Sequence, residues 1–199
     1  SNSVFGRAMY DFGGKYLLQA NVRYDGSSRF AKGYRWGLFP SVSAGWVVTE
    51  EPFMKSLKPV LNFFKLRASW GKLGNERIGS NYFPYLALMT FSDALFYKSD
   101  GTVSSDKTAA QRGLAVEDIT WETTTSTDIG LDASLLNSRL KLGFDWYVKH
   151  TDDMLLGIEI PWMMGYSNPN TNAGRMSTRG WDLDLGWNDR IGDFTYRSE

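Results

Sequence analysis

Hydrophobic and polar residues alternate with a period of two along most of this chain, which is the pattern of half-exposed β-strands. Residues 16–25 place tyrosine, leucine, alanine and valine on one face and mostly polar side chains on the other. Residues 36–48 and 64–71 repeat the pattern, with Lys65 and Arg67 on the second face. The alternation predicts an all-β chain whose strands each have one apolar face.

Three more runs continue the alternation in the second half of the chain. They are residues 127–135, 140–149 and 181–187. We expect Asn137 and Ser138 to reverse the chain between the first two runs and so to form a hairpin. Weaker strands near 4–10 and from Phe194 bring the predicted total to about eight. No sustained helical period is present, with at most one helical turn expected in 50–57.

Long and short connections alternate between these predicted strands. The expected short turns are 11–15, 137–138, 188–193 and a stretched 49–61, and the expected long loops are 26–35, 75–118 and 151–174. Up-and-down membrane barrels have this asymmetry, with short periplasmic turns and longer outward loops. In a soluble β-sandwich both ends face water, so the fold gives no reason for long loops at one end and short turns at the other. The pattern therefore favours a membrane barrel, with a soluble β-sandwich as the alternative.

Tryptophan spacing gives an independent measure of strand height. Trp36 and Trp46 lie on one face of a predicted strand, ten residues apart. That separation is about 33 Å along a strand, or about 25 Å after a tilt near 40°, which matches the apolar band of an outer-membrane barrel. Trp181 and Trp187 repeat the arrangement over a shorter length.

Composition agrees with strands that have two unlike faces. The 8 Trp, 10 Tyr and 12 Phe residues make up 15% of the chain, yet the mean hydropathy is −0.34. Lys plus Arg and Asp plus Glu both number 22, so the balanced charge argues against a nucleic-acid binder that neutralises phosphates. The absence of cysteine excludes disulfides, thiolate metal sites and a cysteine nucleophile.

Neither a transmembrane helix nor a signal peptide is recognisable. No stretch approaches 18 consecutive apolar residues, and the first residues lack a basic segment followed by an apolar core. An exported protein would therefore have its signal elsewhere. We expect either a soluble cytoplasmic chain or the interior of a longer precursor.

A resemblance to a known family is carried by residues 23–54, RYDGSSRFAKGYRWGLFPSVSAGWVVTEEPFM. This segment resembles the SusC/RagA family of TonB-dependent outer-membrane transporters, whose barrels contain an RxDGSSRFG run, a WGxFPSxSAGW strand and an EEPF turn. The likeness continues in order through 64–75, 119–155 and 172–187. Ala31 and Lys32 replace the usual glycine, and Trp181-Asp182 replaces a small aliphatic residue and Glu, which leaves the barrel assignment unchanged.

The resemblance implies an antiparallel up-and-down transmembrane β-barrel of about 22 strands, of which residues 1–199 would supply about eight. Such a part would be an open, curved sheet with two unpaired edges and with outer-membrane lipid against its tryptophan-rich face. The resemblance also implies import of oligosaccharides or peptides across the cell outer membrane. The implied partners are a SusD-like surface lipoprotein and the TonB complex, which pulls on a plug outside this chain.

One predicted outward loop has residues suited to binding substrate. Trp162, Tyr166, Asn168 and Asn170 lie in IEIPWMMGYSNPNTNAG, and exposed aromatics can stack on sugar rings or contact peptides. The alternative is that these residues brace neighbouring loops. A soluble β-sandwich that binds carbohydrate is the alternative function from another class, followed by a glycosidase.

Catalytic residues are hard to place in this sequence, and we predict no catalytic site and no cofactor. His150 is the only histidine, so a Ser-His-Asp triad would require it. Asp182 and Asp184 share a strand face with Cα atoms about 7 Å apart, as Asp128 and Asp132 do at longer spacing, and paired carboxylates can hydrolyse glycosides. Acidic residues that face a water-filled barrel explain these positions equally well.

A calcium site is the remaining candidate. Asp100-Gly101 and Asp106 place oxygen ligands in the long loop at 75–118. The density of carboxylates there is lower than Ca²⁺ sites require. We therefore predict no metal site.

Overall fold

The computed structural model describes residues 1–77, 82–87, 89–111, 113–191 and 194–198. These ranges contain the following strands: β1 Asn2–Phe12, β2 Tyr16–Gly26, β3 Trp36–Val47, β4 Leu61–Asn75, β5 Met89–Tyr97, β6 Val103–Gln111, β7 Glu122–Leu135, β8 Leu140–Gly157, β9 Asn170–Ile191 and β10 Phe194–Ser198. Single-turn 3₁₀ helices lie at Val48–Glu50, Pro52–Met54 and Trp162–Met164. No helix in the described ranges is long and apolar enough to cross a bilayer.

Eight of the strands form one antiparallel sheet in the order β1-β2-β3-β4-β7-β8-β9-β10. Each strand pairs with its neighbour along the chain, except that the separate hairpin β5–β6 is inserted between β4 and β7. This confirms the predicted all-β, up-and-down sheet of about eight strands. The sheet is open, with β1 and β10 as its edge strands.

The sheet has an aromatic face and a polar face, and the strand register aligns each face across the strands. One row of paired residues on the aromatic face is Ala44, Ala68, Ile129, Trp146 and Trp181. The neighbouring row on the polar face is Gly45, Arg67, Gly130, Asp145 and Asp182. Both faces thus follow the alternation read from the sequence.

Large side chains on the aromatic face are exposed. Trp181 is 65% exposed and Trp36 is 50% exposed. Within the described ranges the aromatic face is not covered by a second sheet, so these strands do not form the β-sandwich considered as the alternative. An apolar surface of this extent requires a covering that these strands do not provide.

Aromatic rings gather at both ends of the aromatic face, as the tryptophan spacing predicts. Tyr24 stacks on Trp36 with ring centroids 4.8 Å apart, and Tyr16 stacks on Trp46 at 6.4 Å. These two stacks lie at opposite ends of the β2–β3 pair. Two aromatic bands that border an apolar zone are typical of membrane barrels.

A small cluster of buried apolar residues lies at one end of the sheet. It consists of Phe30, Phe39, Ile119 and Trp121. Phe39 packs so close to Gly37 and Gly74 that a Cβ atom at either position would collide with its ring. Trp121 Nε1 donates a hydrogen bond to the Arg35 carbonyl at 3.2 Å. The cluster therefore holds the ends of two connections together.

The turn between β7 and β8 is longer than predicted. Leu135 pairs with Leu140, so four residues reverse the chain rather than Asn137 and Ser138 alone. Leu136, Asn137 and Ser138 have φ values of 55°, 58° and 63°. Positive φ is uncommon for leucine, which is why the sequence did not indicate that Leu136 belongs to the turn.

The predicted loop at 151–174 is wrong in its bounds. β8 continues to Gly157 and β9 begins at Asn170, so the connection is only 158–169. The register of β8 against β9 shifts between Thr151 and Leu155, and Asp153 has a φ of 59°. This β-bulge breaks the period of two. The strand predicted from the alternation therefore ended before the true end of β8.

Two other connections also differ from expectation. The loop expected at 75–118 contains the β5–β6 hairpin. The sequence did not reveal this hairpin because Asp93 interrupts its apolar face and Phe96 lies on the opposite face. β9 continues to Ile191, well into the turn expected at 188–193, and residues 192–193 lie outside the described ranges.

Candidate functional site at the loop end and the polar face

The long connections gather at one end of the sheet, which we call the loop end. They are residues 27–35 between β2 and β3, 76–121 between β4 and β7, and 158–169 between β8 and β9. The short turns lie at the opposite end, which we call the turn end. Binding residues are disproportionately found on loops that a rigid scaffold positions.

The first of these connections is fixed by the DGSSRF motif. Phe30 is buried in the apolar cluster, with only 1% of its surface exposed. The preceding Arg29 donates a hydrogen bond from Nη1 to the Glu76 carbonyl at 3.4 Å and lies over the Tyr82 ring at 4.8 Å. The motif therefore joins the 27–35 connection to the start of the 76–121 connection.

Asn172, near the start of β9, joins the second connection to β8 and β9. Its Oδ1 accepts a hydrogen bond from the Thr120 amide at 2.9 Å. Its Nδ2 donates to the carbonyls of Thr120 at 3.0 Å and Asp153 at 2.6 Å. A parallel bridge between Gly113 and Ser167 lies alongside. Sequence reasoning missed Asn172, whose only signal is an amide within the loop predicted at 151–174.

The structure separates the four predicted substrate-binding residues. Trp162 is 89% exposed at the tip of the 158–169 connection. Tyr166 is partly exposed, and Asn168 accepts a hydrogen bond from the Ile160 amide at 3.2 Å. Asn170 is the first residue of β9 and pairs with Gly157. The prediction that all four lie in a loop is therefore wrong for Asn170.

Asn168 and Asn170 line a small cavity that does not include Trp162. The cavity has a volume of about 170 Å³ between residues 113–119 and 167–170. Apolar side chains, among them Leu114, Val116 and Leu155, form much of its wall. The loop end thus offers a small cavity with both polar and apolar lining, which includes two amides, and a separate exposed tryptophan.

Arg67 is the centre of an ion-pair network on the polar face. Its guanidinium contacts Asp145, and its Nε lies 3.2 Å from Asp132 Oδ2. Nη1 is 3.9 Å from Asp128 Oδ1. The carboxylates of Asp128 and Asp132, considered from the sequence as a catalytic pair, are therefore ion-paired to one arginine.

Gly130 makes this network possible. It lies between Arg67 and Asp145 in a row of three paired strands. A Cβ atom at Gly130 would collide with the Asp145 carboxylate and would lie 2.9 Å from Arg67 Cζ. Because glycine leaves this space empty, the Arg67 side chain passes over β7 and reaches β8.

His150 does not complete a catalytic triad. It pairs with Thr125 and Ser177 and lies on the aromatic face. Asp182 and Asp184 lie on the polar face, on the other side of the same sheet. Histidine and these carboxylates therefore cannot meet across the strands.

The residues considered for Ca²⁺ lie at the β5–β6 hairpin. Asp100 accepts hydrogen bonds from the Thr102 amide at 2.9 Å and the Thr102 hydroxyl at 2.6 Å, and these bonds lower the pKa of its carboxyl group. Asp106 accepts a bond from the Ser104 hydroxyl at 3.2 Å. No group of metal-ligating residues is present within the described ranges.

Glu51, at the turn end, was not identified from the sequence as an organising residue. Its Oε1 accepts hydrogen bonds from Tyr16 Oη at 2.7 Å and Trp46 Nε1 at 3.3 Å, and Lys15 Nζ lies 3.7 Å from its Oε2. The bond from Tyr16, followed by that from Trp46, lowers the pKa of Glu51. The EEPF turn thus fixes two rings of the turn-end aromatic band.

The open sheet, with an exposed aromatic face, a charged opposite face and long connections at one end, has the architecture of part of an outer-membrane-type β-barrel. The family described as TonB dependent receptor-like, beta-barrel matches residues 1–199, and the chain belongs to this family.

Individual relatives agree with this assignment. The chain is 41% identical to TonB-dependent receptor P39 of Formosa agariphila over 184 residues, which is 92% of this chain and 17% of that protein. It is 37% identical to TonB-dependent receptor SusC of Bacteroides thetaiotaomicron over 92% of this chain and 18% of SusC. The chain therefore spans less than a fifth of the length of either relative.

A solved structure shows the same fold. A chain of the RagAB peptide importer in its closed-closed state superposes with a TM-score of 0.79 at 28% identity, covering 96% of this chain and 20% of that chain. The resemblance to the SusC/RagA family is thereby confirmed. The relatives are receptors and transporters, which agrees with the prediction that this protein is not an enzyme.

Proposed function

We propose that this chain is part of the barrel wall of a TonB-dependent transporter that imports oligosaccharides or peptides across the cell outer membrane. The observation that carries the proposal is the exposed aromatic face of the sheet. On β2 and β3 this face has a pair of stacked aromatic rings at each end. Lipid would cover this face, and the polar face would line the interior of the barrel.

Membrane insertion is tested on the full-length protein. We expect it to enter the detergent phase on phase separation and to migrate differently in gel electrophoresis before and after heating. Recovery of folded protein from the aqueous phase without detergent would contradict the proposal.

Peptides and oligosaccharides remain the two substrate classes. The likeness to a peptide importer supports peptides. The cavity beside Asn168 and Asn170 is lined by apolar side chains and by amides, so it suits either class. The exposed Trp162 suits either class, because its ring can stack on a sugar or pack against an apolar side chain. We propose that Trp162, Tyr166, Asn168 and Asn170 contact the substrate.

Uptake by cells that lack the chromosomal copy separates the two classes. Cells that express the full-length protein are offered either a mixed peptide pool or a mixed oligosaccharide pool as the limiting nutrient. We expect Trp162→Ala and an Asn168→Ala/Asn170→Ala double variant to slow growth on one pool only. Growth equal to that of the unsubstituted protein on both pools would contradict the assignment of these residues.

We also propose that the full transporter works with a SusD-like surface lipoprotein and with the TonB complex. The β5–β6 hairpin supports the first partner, because Phe91, Leu95 and Tyr97 lie on one of its faces and are 75%, 75% and 81% exposed. An isolated two-stranded hairpin is marginally stable in water. Energy from the TonB complex would act through a plug outside residues 1–199.

Co-purification tests the role of the hairpin. We expect a Phe91→Ser/Leu95→Ser/Tyr97→Ser variant to lose the lipoprotein during purification in detergent. The matched control is Thr90→Ala/Ser92→Ala, on the opposite face of the same strand. Equal recovery of lipoprotein with both variants would contradict this docking surface.

A further inference from the structure

Four residues on the aromatic face form a polar patch toward the loop end. Lys72, Thr125 and His150 are paired in one row across β4, β7 and β8. Arg179 lies on β9 in the neighbouring row, where it pairs with Val148. We call Lys72, Thr125, His150 and Arg179 the rim patch.

On β4, β7, β8 and β9 the rim patch marks the loop-end limit of the apolar zone. The row containing Val148 and Arg179 also contains Trp70 and Thr127. The next row toward the turn end is entirely apolar, with Ile129, Trp146 and Trp181. In a membrane barrel this change of polarity lies at the height of the lipid headgroups.

The cations of the rim patch have no carboxylate partner within the described ranges. No ion pair involves Lys72 or Arg179 there. Asp152 is the acidic residue of the adjoining outer row and lies 3.6 Å from Arg175, so that carboxylate already has a cation. This part of the aromatic face therefore has three cationic side chains, Lys72, Arg175 and Arg179, and one carboxylate, Asp152, so its net charge is positive.

The spacing of the patch suits one anionic group. Neighbouring strands lie about 4.8 Å apart, so Lys72 and His150, which are two strands apart, have Cα atoms separated by about 10 Å. His150 and Arg179 are diagonal neighbours at about 7–8 Å. Lysine and arginine have long side chains, and the Thr125 hydroxyl lies between them as a further donor.

We propose that the rim patch binds a phosphate group on the headgroup of a lipid in the surface leaflet. Phosphate suits the patch because guanidinium and ammonium groups form strong charge-assisted hydrogen bonds with its oxygens. The lipid chains would then lie along the apolar rows below. This inference rests on the proposed function, since it requires the aromatic face to contact a bilayer.

Binding of lipid A to the full-length protein in detergent tests the proposal. The probes are bisphosphorylated lipid A and the same lipid after removal of its phosphates. We expect Lys72→Gln/Arg179→Gln to weaken binding of the phosphorylated lipid about a hundredfold, which corresponds to the loss of two charge-assisted hydrogen bonds, one from each cation, at about tenfold each. The phosphate-free lipid should bind the unsubstituted protein equally weakly.

The matched control is Arg7→Gln/Lys149→Gln, which removes two cations from the polar face. We expect this control to bind phosphorylated lipid as the unsubstituted protein does. Equal affinity of the rim-patch and control variants would overturn the proposal, and so would equal affinity of the unsubstituted protein for both lipids. The second outcome requires no variant, so misfolding of the rim-patch variant cannot hide it.

Two further measurements separate this proposal from others. Complete competition by millimolar inorganic phosphate would show that the patch binds soluble phosphate and would overturn the lipid assignment. A full-length protein that inserts into detergent and imports nutrient, but binds lipid without regard to phosphate, would overturn this inference alone. Failure to insert would instead contradict the proposed function.

Discussion

At the scale of single residues, the ion-pair network on the polar face requires glycine at position 130. Gly130 leaves the space through which Arg67 reaches Asp145. We expect Gly130→Ala to lower the free energy of unfolding of the full-length protein by about 1–3 kcal/mol, because the added methyl group displaces the ion pair. Urea unfolding in detergent measures the change.

The control for this substitution is Gly143→Ala. Gly143 lies on β8 and, like Gly130 on β7, on the polar face of the sheet. A Cβ atom there would lie 3.5 Å from Asp184 Cβ, which is an ordinary contact. We expect it to unfold like the unsubstituted protein. Equal effects of both substitutions would show that the space over Gly130 has no special role.

Glu51 gives the turn end a dependence on pH. Hydrogen bonds from Tyr16 and Trp46 lower its pKa, so folding favours the ionised carboxylate. The resulting stabilisation is present above the ordinary pKa of a glutamate, about 4.3, and is lost as the pH falls through the lowered value.

Glu51→Gln should therefore lower the thermal midpoint at pH 7, and the difference from the unsubstituted protein should shrink as the solution is acidified below pH 4.3. Glu50→Gln is the control, since Glu50 is ion-paired to the exposed Lys58. A pH-independent difference for Glu51→Gln would contradict the role of its charge. Thermal unfolding followed by circular dichroism provides the measurement.

At the scale of elements, Asn172 holds the segment before β7 against β9. Asn172→Ala removes three hydrogen bonds to backbone groups of Thr120 and Asp153. Groups left without partners cost about 1–3 kcal/mol, so we expect faster hydrogen exchange in residues 113–120. Asn62→Ala is the control, because Asn62 bonds to Lys58 and Ser138 at the turn end. Unchanged exchange in 113–120 would contradict this role.

Regular elements could be predicted from the sequence wherever the period of two was unbroken. β2, β3 and the paired parts of β7 and β8 followed from alternation, since each has one apolar face. The end of β8 could not be predicted, because the bulge at Asp153 changes the residues that face each side. Alternation of apolar and polar residues indicates which face of a strand is apolar only while the strand is regular. A β-bulge shifts the alternation, so the strand beyond it is no longer recognisable from the sequence.

The loop-end site was less predictable than the strands. Trp162 was identified because an aromatic residue in a long loop can stack on a sugar ring or contact a peptide, and its side chain is 89% exposed. The cavity beside Asn168 could not be foreseen, since it requires contact with residues 113–119, far away in the sequence. The Arg67 network likewise depends on strand order and on the gap at Gly130, which alternation does not reveal.

At the scale of the whole molecule, the two faces of the sheet should respond oppositely to charge. Ala68 and Ser69 are adjacent in the middle of β4, both exposed, with Ala68 on the aromatic face and Ser69 on the polar face. In lipid, an arginine near the bilayer midplane costs about 2–4 kcal/mol, whereas a residue in the barrel interior tolerates charge. The same substitution at these two positions therefore identifies the face that contacts lipid.

We expect Ala68→Arg to reduce the amount of folded full-length protein in the outer membrane and to lower its free energy of unfolding in lipid vesicles. Ser69→Arg should assemble nearly as the unsubstituted protein does. Heat-modifiable migration in membrane fractions and urea unfolding in vesicles measure the two effects. If Ser69→Arg were the more damaging substitution, the polar face would be the one packed against an apolar medium, and the proposed orientation of the wall would be reversed.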